Sequence, residues 1–305
     1  MAWTSILHGW LELLLRWVHV FASIMWVGTT YYFTWLDGRF SELEDKLRKT
    51  PGDPGSSSEN RVWMVHSGGF YVVEKQKVPN VMPEKLHWFR WEAAITWLSG
   101  ILLFGLVYYH GGLMTYTEDA RISPAAAIGL SVALLVLSVP LYDLLWFRLL
   151  KTDKAGVVVS FLFVAALGFF LCGTADIHLE SLGRSLPHAL AGVLDFRTPL
   201  MAERAAYLQL GAMFGTIMAA NVWMRILPAQ RRMVAALKEG KEPNQAEALR
   251  AKTCSKHNTF LVVPVVFIMI SNHFPTVTYG SRYNWAILSV LVLAGWGAAK
   301  LIRRA

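Results

Sequence analysis

The chain has 305 residues, 54% of them hydrophobic and only 16% charged, with 13 tryptophans. That balance belongs to a membrane protein and excludes an ordinary soluble enzyme. The net charge of +8 needs no nucleic-acid partner, because the basic residues sort by loop as membrane orientation demands. Cys172 and Cys254 form neither CxxC nor CxxCH, which excludes a disulfide framework, a zinc site and covalent haem attachment.

In chain order, seven segments have the length and apolarity of membrane spans: 10–36, 89–109, 122–147, 155–177, 205–227, 258–274 and 285–301. Together they predict an all-α membrane bundle, one domain over 1–305. The first segment carries Arg16 and His19 and lacks a small-residue cleavage site, so it reads as a span and not as a signal peptide. A polar loop, 37–88, follows it. Within this loop two β-prone runs flank Ser67-Gly68-Gly69, which predicts a hairpin over 62–74, placed to fold over the inner face. No GK[ST] follows these glycines, so they are not a phosphate loop. In span five Gly211, Gly215 and Ala219 form a small-xxx-small face suited to close helix packing.

Orientation follows from lysine and arginine. The loops after spans one, three and five and the C-terminal tail carry 22 of them, against six on the other side. Basic loops stay in the cytoplasm, so the N-terminus is expected outside and the C-terminus inside.

With that topology the histidines gather near the outer surface. If Arg16 marks the outer boundary of span one, His19 lies one turn beneath it. His110 ends span two, His178 follows span four, His188 sits in the adjoining loop and His273 closes span six. A b-type haem held between helices needs two neutral imidazoles in an apolar, aromatic surround. Trp17, Phe21, Trp26, Phe170 and Phe274 are candidates for that surround, and Asn272 gives His273 polar company. The bland reading is that these imidazoles only hydrogen-bond lipid headgroups. It suits His110 and His188, ligation suits His19 and His273, and His178 stands between the two.

The inner face collects acids and amides. Asp37 ends span one; His87, Arg90 and Glu92 open span two; Asp143 lies near the end of span three. Asn221 lies near the end of span five, and His257-Asn258 open span six. An acid inside a span faces the bundle interior or a wet cavity, which marks Glu92 and Asp143 as candidate bases. Arg90, Asn221, His257 and Asn258 are candidate contacts for a flat, polar, anionic ring. The structural alternative is plain ion pairing, Arg90 with Glu92 or Arg148 with Asp143. The basic stretch 238–252 reads as a solvated loop.

Certain blocks resemble the membrane portion of the bacterial cytochrome c-coupled urate oxidases (urate hydroxylases). They are R-W-V-H-V with W-V-G in span one, H-S-G-G-F-Y-V-V-E-K, L-H-W-F-R-W-E-A, T-W-L-S-G, G-T-I-M-A-A-N-V, and K-H-N-T-F-L-V-V-P-V-V-F-I-M-I-S-N-H-F-P. The first is also similar to small membrane families that bind b haem, which by analogy makes His19 a ligand. The resemblance implies oxidation of urate to 5-hydroxyisourate in purine degradation, at the bacterial inner membrane. Electrons would pass through haem b, one or two per chain, to cytochrome c. Such proteins typically continue into a cytochrome domain with CxxCH, which this chain lacks, so a separate cytochrome or a respiratory complex is the expected acceptor. A bilayer core is about 30 Å thick, so an outer haem cannot serve an inner substrate directly. Either a second haem, with His257 or His87, or a deeper substrate is required. The rival readings are an electron-transfer subunit without urate chemistry and a transport or structural protein with no redox centre.

Overall fold

The computed structural model describes residues 2–49, 61–76, 79, 82–115, 121–150, 152–172 and 199–303. Among them are seven helices long and apolar enough to cross a membrane, together with one two-stranded antiparallel hairpin. The elements are α1 (Ala2–Lys49), β1 (Arg61–His66), β2 (Gly69–Glu74), α2 (Trp91–Phe104), α3 (Pro124–Leu144) and α4 (Asp153–Cys172). They continue as α5 (Glu203–Ala220), α6 (Leu227–Lys238), α7 (Gln245–Ser271) and α8 (Asn284–Ile302). Helices α2, α3 and α5 each run on into a short π-helical stretch: Gly105–His110, Leu145–Leu149 and Asn221–Ile226.

Several helices extend well past the edges that hydropathy marks. Helix α1 has 48 residues, about 72 Å at 1.5 Å per residue, against a hydrocarbon core of about 30 Å. The stretch after Asp37 is therefore helix, and it ends on Lys46, Arg48 and Lys49, which suit the negative end of the helix dipole. The basic stretch 238–252 is likewise the end of α6, a turn, and the first turns of α7, not an open loop. Asn244 caps α7 by accepting from the amides of Ala246 and Glu247, and Ser123 followed by Pro124 starts α3. The predicted end of span four, 173–177, lies outside the described residues.

Helix α5 forms the centre of the bundle. Tyr207, Gln209 and Asn221 along α5 and its π-helical extension are fully buried, and α5 packs on α2, α3, α4 and α7. A buried glutamine must be satisfied, and Gln209 donates to the Ser131 carbonyl and accepts from the Ser131 hydroxyl. Gly211 lets α7 approach, since a Cβ there would stand 3.0 Å from Ile268 Cγ2. A Cβ at Gly215 would meet nothing within 4 Å, so the small-residue face read from the sequence holds at Gly211 and not at Gly215. Helix α1 sits at the rim, packed along α2 and touching α7 lightly.

The hairpin pairs Arg61 with Glu74 through His66 with Gly69. Its turn residues Ser67 and Gly68 have φ of 49° and 77°, the left-handed pair that a two-residue turn of this twist requires. Val62 buries against Leu36 and Phe40 of α1, and Lys75 bonds Asp37 at 2.7 Å. The hairpin therefore rests on the protruding part of α1. That end of the bundle is called the hairpin end below.

Candidate functional site

Two polar constellations hold several of the described side chains that the sequence marks for chemistry. The first lies at the hairpin end, where α3, the π-helical stretch Asn221–Ile226 and α7 meet. A guanidinium in this setting has to be paired, since an isolated charge in lipid costs several kcal/mol. Arg225 is buried and grips Asp143 with two bonds, Nη2 to Oδ2 at 2.6 Å and Nε to Oδ1 at 3.1 Å. Its Nη1 donates to Asn221 Oδ1 at 3.2 Å. Asn221 Nδ2 donates to Asn258 Oδ1 at 2.9 Å, and Asn258 Nδ2 to the Met218 carbonyl at 3.1 Å. Tyr142 lies under the Arg225 guanidinium, 5.6 Å from it, and shares a 2.7 Å hydrogen bond with His257 Nδ1.

Sequence reasoning named Asp143, Asn221, His257 and Asn258, and the structure brings those four together. It missed Arg225, which sits four residues after Asn221 and so on the same helical face. It also missed Tyr142, Arg232, Glu247 and Arg250. The arginines had been counted only as loop charge. The available signal was that Asp143, inside a span, needs a cation. Arg148 is not that cation; Arg225 is.

Beside this network opens a cavity of about 230 Å³ lined by Asp143, Arg225, Arg232, Glu247 and Arg250, with Met224, Ala229 and Ala251. Arg225 is matched by Asp143, and Arg232 by Glu247 at 2.7 Å. Arg250 has only a 3.6 Å contact with Asp143 and stacks on Phe147, with half of its side chain exposed. The walls thus carry three positive and two negative side chains, an excess of one positive charge that suits a small, singly charged anion.

The second constellation is the seam between α1 and α2. His19 Nδ1 lies 3.0 Å from the Thr96 carbonyl and 3.2 Å from Ser99 Oγ. A carbonyl only accepts, so Nδ1 carries the proton and Nε2 of the neutral ring keeps its lone pair. This is the arrangement that orients a ligating imidazole. The ring is seated over Gly100, where a Cβ would come within 2.9 Å of Cε1. One and two turns from Gly100 toward the hairpin end, Thr96 Oγ1 and Glu92 Oε2 are buried with no hydrogen-bond partner.

The depth of His19 can be set against α2. Arg16 is paired within its own helix with Glu12. His8 of α1 stands beside His110 at the far end of α2, their rings 5.8 Å apart. His19 lies about 16 Å along α1 from His8, so it sits well inside the bundle.

His19 and His273 do not meet. Asn272, beside His273, accepts from Arg204 Nε at 2.8 Å, and that guanidinium lies over Tyr108. Tyr108 is about 12 Å along α2 from Gly100, where His19 packs. Trp17 faces outward and is 69% exposed, while Trp26 packs with Ala93, Val222 and Leu227. Arg90 stacks on Trp91 and stands apart from the Asp143 network. His178 and His188 lie outside the described residues. Among the described residues no group of three His, Cys, Asp or Glu side chains is placed to hold a metal ion. For a b haem, His19 fits as one ligand, and neither His110 nor His273 completes the pair.

A family model described as Urate oxidase N-terminal matches residues 5–176 and 185–303. No curated protein and no solved structure gives a significant match.

Proposed function

Because the chain belongs to the Urate oxidase N-terminal family, we propose that it oxidises urate to 5-hydroxyisourate in the bacterial inner membrane. Seven apolar helices are compatible with the multi-pass setting. The bias of lysine and arginine supports the hairpin end facing the cytoplasm, where purines arise. The observation that carries the reading is the arginine-walled cavity beside Arg225 and Asp143. Urate at neutral pH is a flat monoanion bearing carbonyl acceptors and N–H donors, and this cavity offers one surplus positive charge with donors and acceptors on its walls.

The overall step takes urate and one water to 5-hydroxyisourate, two protons and two electrons. Arg250 holds the anion, with Arg225 behind it fixed in direction by Asp143, Asn221 and Asn258. Both Asp143 oxygens already accept from Arg225, so its part is to aim that guanidinium. Of the two candidate bases, Glu92 keeps an oxygen without a partner, but it does not line the cavity, so it would take a proton at the α1–α2 seam and not directly from urate held by Arg250. It faces the seam, one turn from the carbonyl that orients His19. His19 is one ligand of a b-type haem in this reading. When bound, that haem would supply one-electron transfer toward a cytochrome c.

The test is a reduced-minus-oxidised visible spectrum of detergent-purified protein, before and after urate. A b-type signal that urate reduces supports the reading. Arg250→Ala is then expected to need much more urate for the same reduction while keeping the full dithionite-reduced signal. A haem signal untouched by urate selects an electron-transfer subunit instead, and a colourless protein removes the redox reading.

A further inference from the structure

We infer that the crevice between α1 and α7 is a binding site for one anionic phospholipid, with an acyl chain between the helices and the phosphate at Arg303. Val27 and Tyr31 of α1 face Val262, Val263, Val266, Phe267 and Ile270 of α7 across an apolar cavity of about 290 Å³. From Val262 to Ile270 it follows about 12 Å of helix. The helices are pinned together where the crevice ends, at Tyr31, whose hydroxyl donates to the Thr259 carbonyl at 3.1 Å.

Empty space between two membrane helices loses the dispersion contacts of its walls, so an apolar chain entering from the bilayer is favoured there. The ends decide which apolar molecule. At the hairpin end the exposed Arg303 guanidinium reaches Thr259 Oγ1 at 3.5 Å and lies 6.0 Å from the Phe260 ring. A basic group at the membrane edge beside an apolar slot matches a phosphate head and its tail. Haem does not fit this description. Among the described residues no histidine lines the crevice: His19 is about 12 Å along α1 from Val27 and turned toward α2, and His257 and His273 lie beyond the two ends of its α7 wall. A quinone ring is also poorly served, because between Tyr31 and Ile270 the walls offer it no hydrogen-bonding side chain.

The experiment is native mass spectrometry of the full chain, delipidated in detergent and titrated with phosphatidylglycerol or phosphatidylcholine. One phosphatidylglycerol is expected to stay bound in preference to phosphatidylcholine. Val266→Trp fills the slot and should weaken binding of both lipids by roughly tenfold. Arg303→Gln should lower phosphatidylglycerol binding by roughly fivefold and phosphatidylcholine binding much less, because the choline cation already offsets that lipid's phosphate. Val27→Phe fills the slot from the opposite wall and replaces Val266→Trp should that variant melt early. Unaltered phosphatidylglycerol binding in both filled variants overturns the inference. So does an unaltered lipid preference in Arg303→Gln, or displacement of the lipid by a short-chain quinone. None of these readouts depends on urate.

Discussion

At the scale of single residues, the pair formed by Arg225 and Asp143 sets the character of the hairpin end. Removing one member of a buried pair strands the other charge, at a cost of about 3–5 kcal/mol. Arg225→Met should therefore melt early in detergent, whereas Arg225→Met combined with Asp143→Leu should recover most of that loss. Thermal melting followed by circular dichroism checks both. Gly100 makes a second case. Gly100→Ala places a Cβ 2.9 Å from the His19 ring, so the ring must shift. The expected result is an altered visible spectrum with unchanged helix content, whereas His19→Ala should abolish the spectrum. If His19→Ala leaves the spectrum intact, His19 is not a ligand. Asp143 could be singled out from sequence because an acid inside a span is conspicuous. Arg225 could not, because it falls where the apolar run gives way to a basic loop and blends into the local charge. His19 stood out in the sequence, but its contacts with the Thr96 carbonyl, Ser99 and Gly100 cross between helices and have no signature in sequence spacing.

At the scale of elements, local chemistry made the hairpin readable. Ser-Gly-Gly between two β-prone runs specifies a turn with positive φ, and both turn residues adopt it. Ser67→Asn should tighten the hairpin, because asparagine tolerates that backbone better than serine, while Gly68→Val should loosen it. Protease sensitivity of the 61–74 segment reads both effects. The hairpin also carries a pH dependence. Hydrogen bonds from Gln76 and Arg61 hold the Glu74 carboxyl below its usual range. That contribution is present above the ordinary carboxylate pKa and is lost as pH falls through the lowered folded value. Amide exchange in β1 and β2 should therefore quicken only on the acid side of about pH 4. Helix ends were less readable than the hairpin. Hydropathy reports where lipid stops, but α1 and α7 continue through water on caps, ion pairs and propensity, so their polar turns resembled loops.

At the scale of the whole molecule, seven spans follow from apolar length alone, the rim position of α1 only from helix packing, and the side each end faces rests on charge. Both native cysteines are buried, so a single introduced thiol would report without background. Glu239→Cys, in the turn between α6 and α7, should react with an impermeant maleimide only after cells are opened. Val277→Cys, at the far end and 66% exposed, should react in intact cells. The reverse pattern would invert the molecule and move the arginine cavity to the outside. The same architecture separates the site into two parts. The cavity lies on the face of the Asn221–Ile226 stretch that meets α3 and α7. Trp223 on another face packs against Trp91 at the start of α2, 5.8 Å away.

That π-helical stretch, Asn221–Ile226, is in effect a helix holding one residue too many. Each residue of an ordinary α-helix turns the chain by about 100°, and the wider π turn spreads the same rotation over one residue more, so α6 keeps its phase despite the surplus. Deleting one residue between Asn221 and Arg225 would restore a regular helix and leave Arg232 at the mouth of the cavity. A single-codon deletion would thus act as a local splice, changing the spacing of the two floor residues while the rim stayed in register.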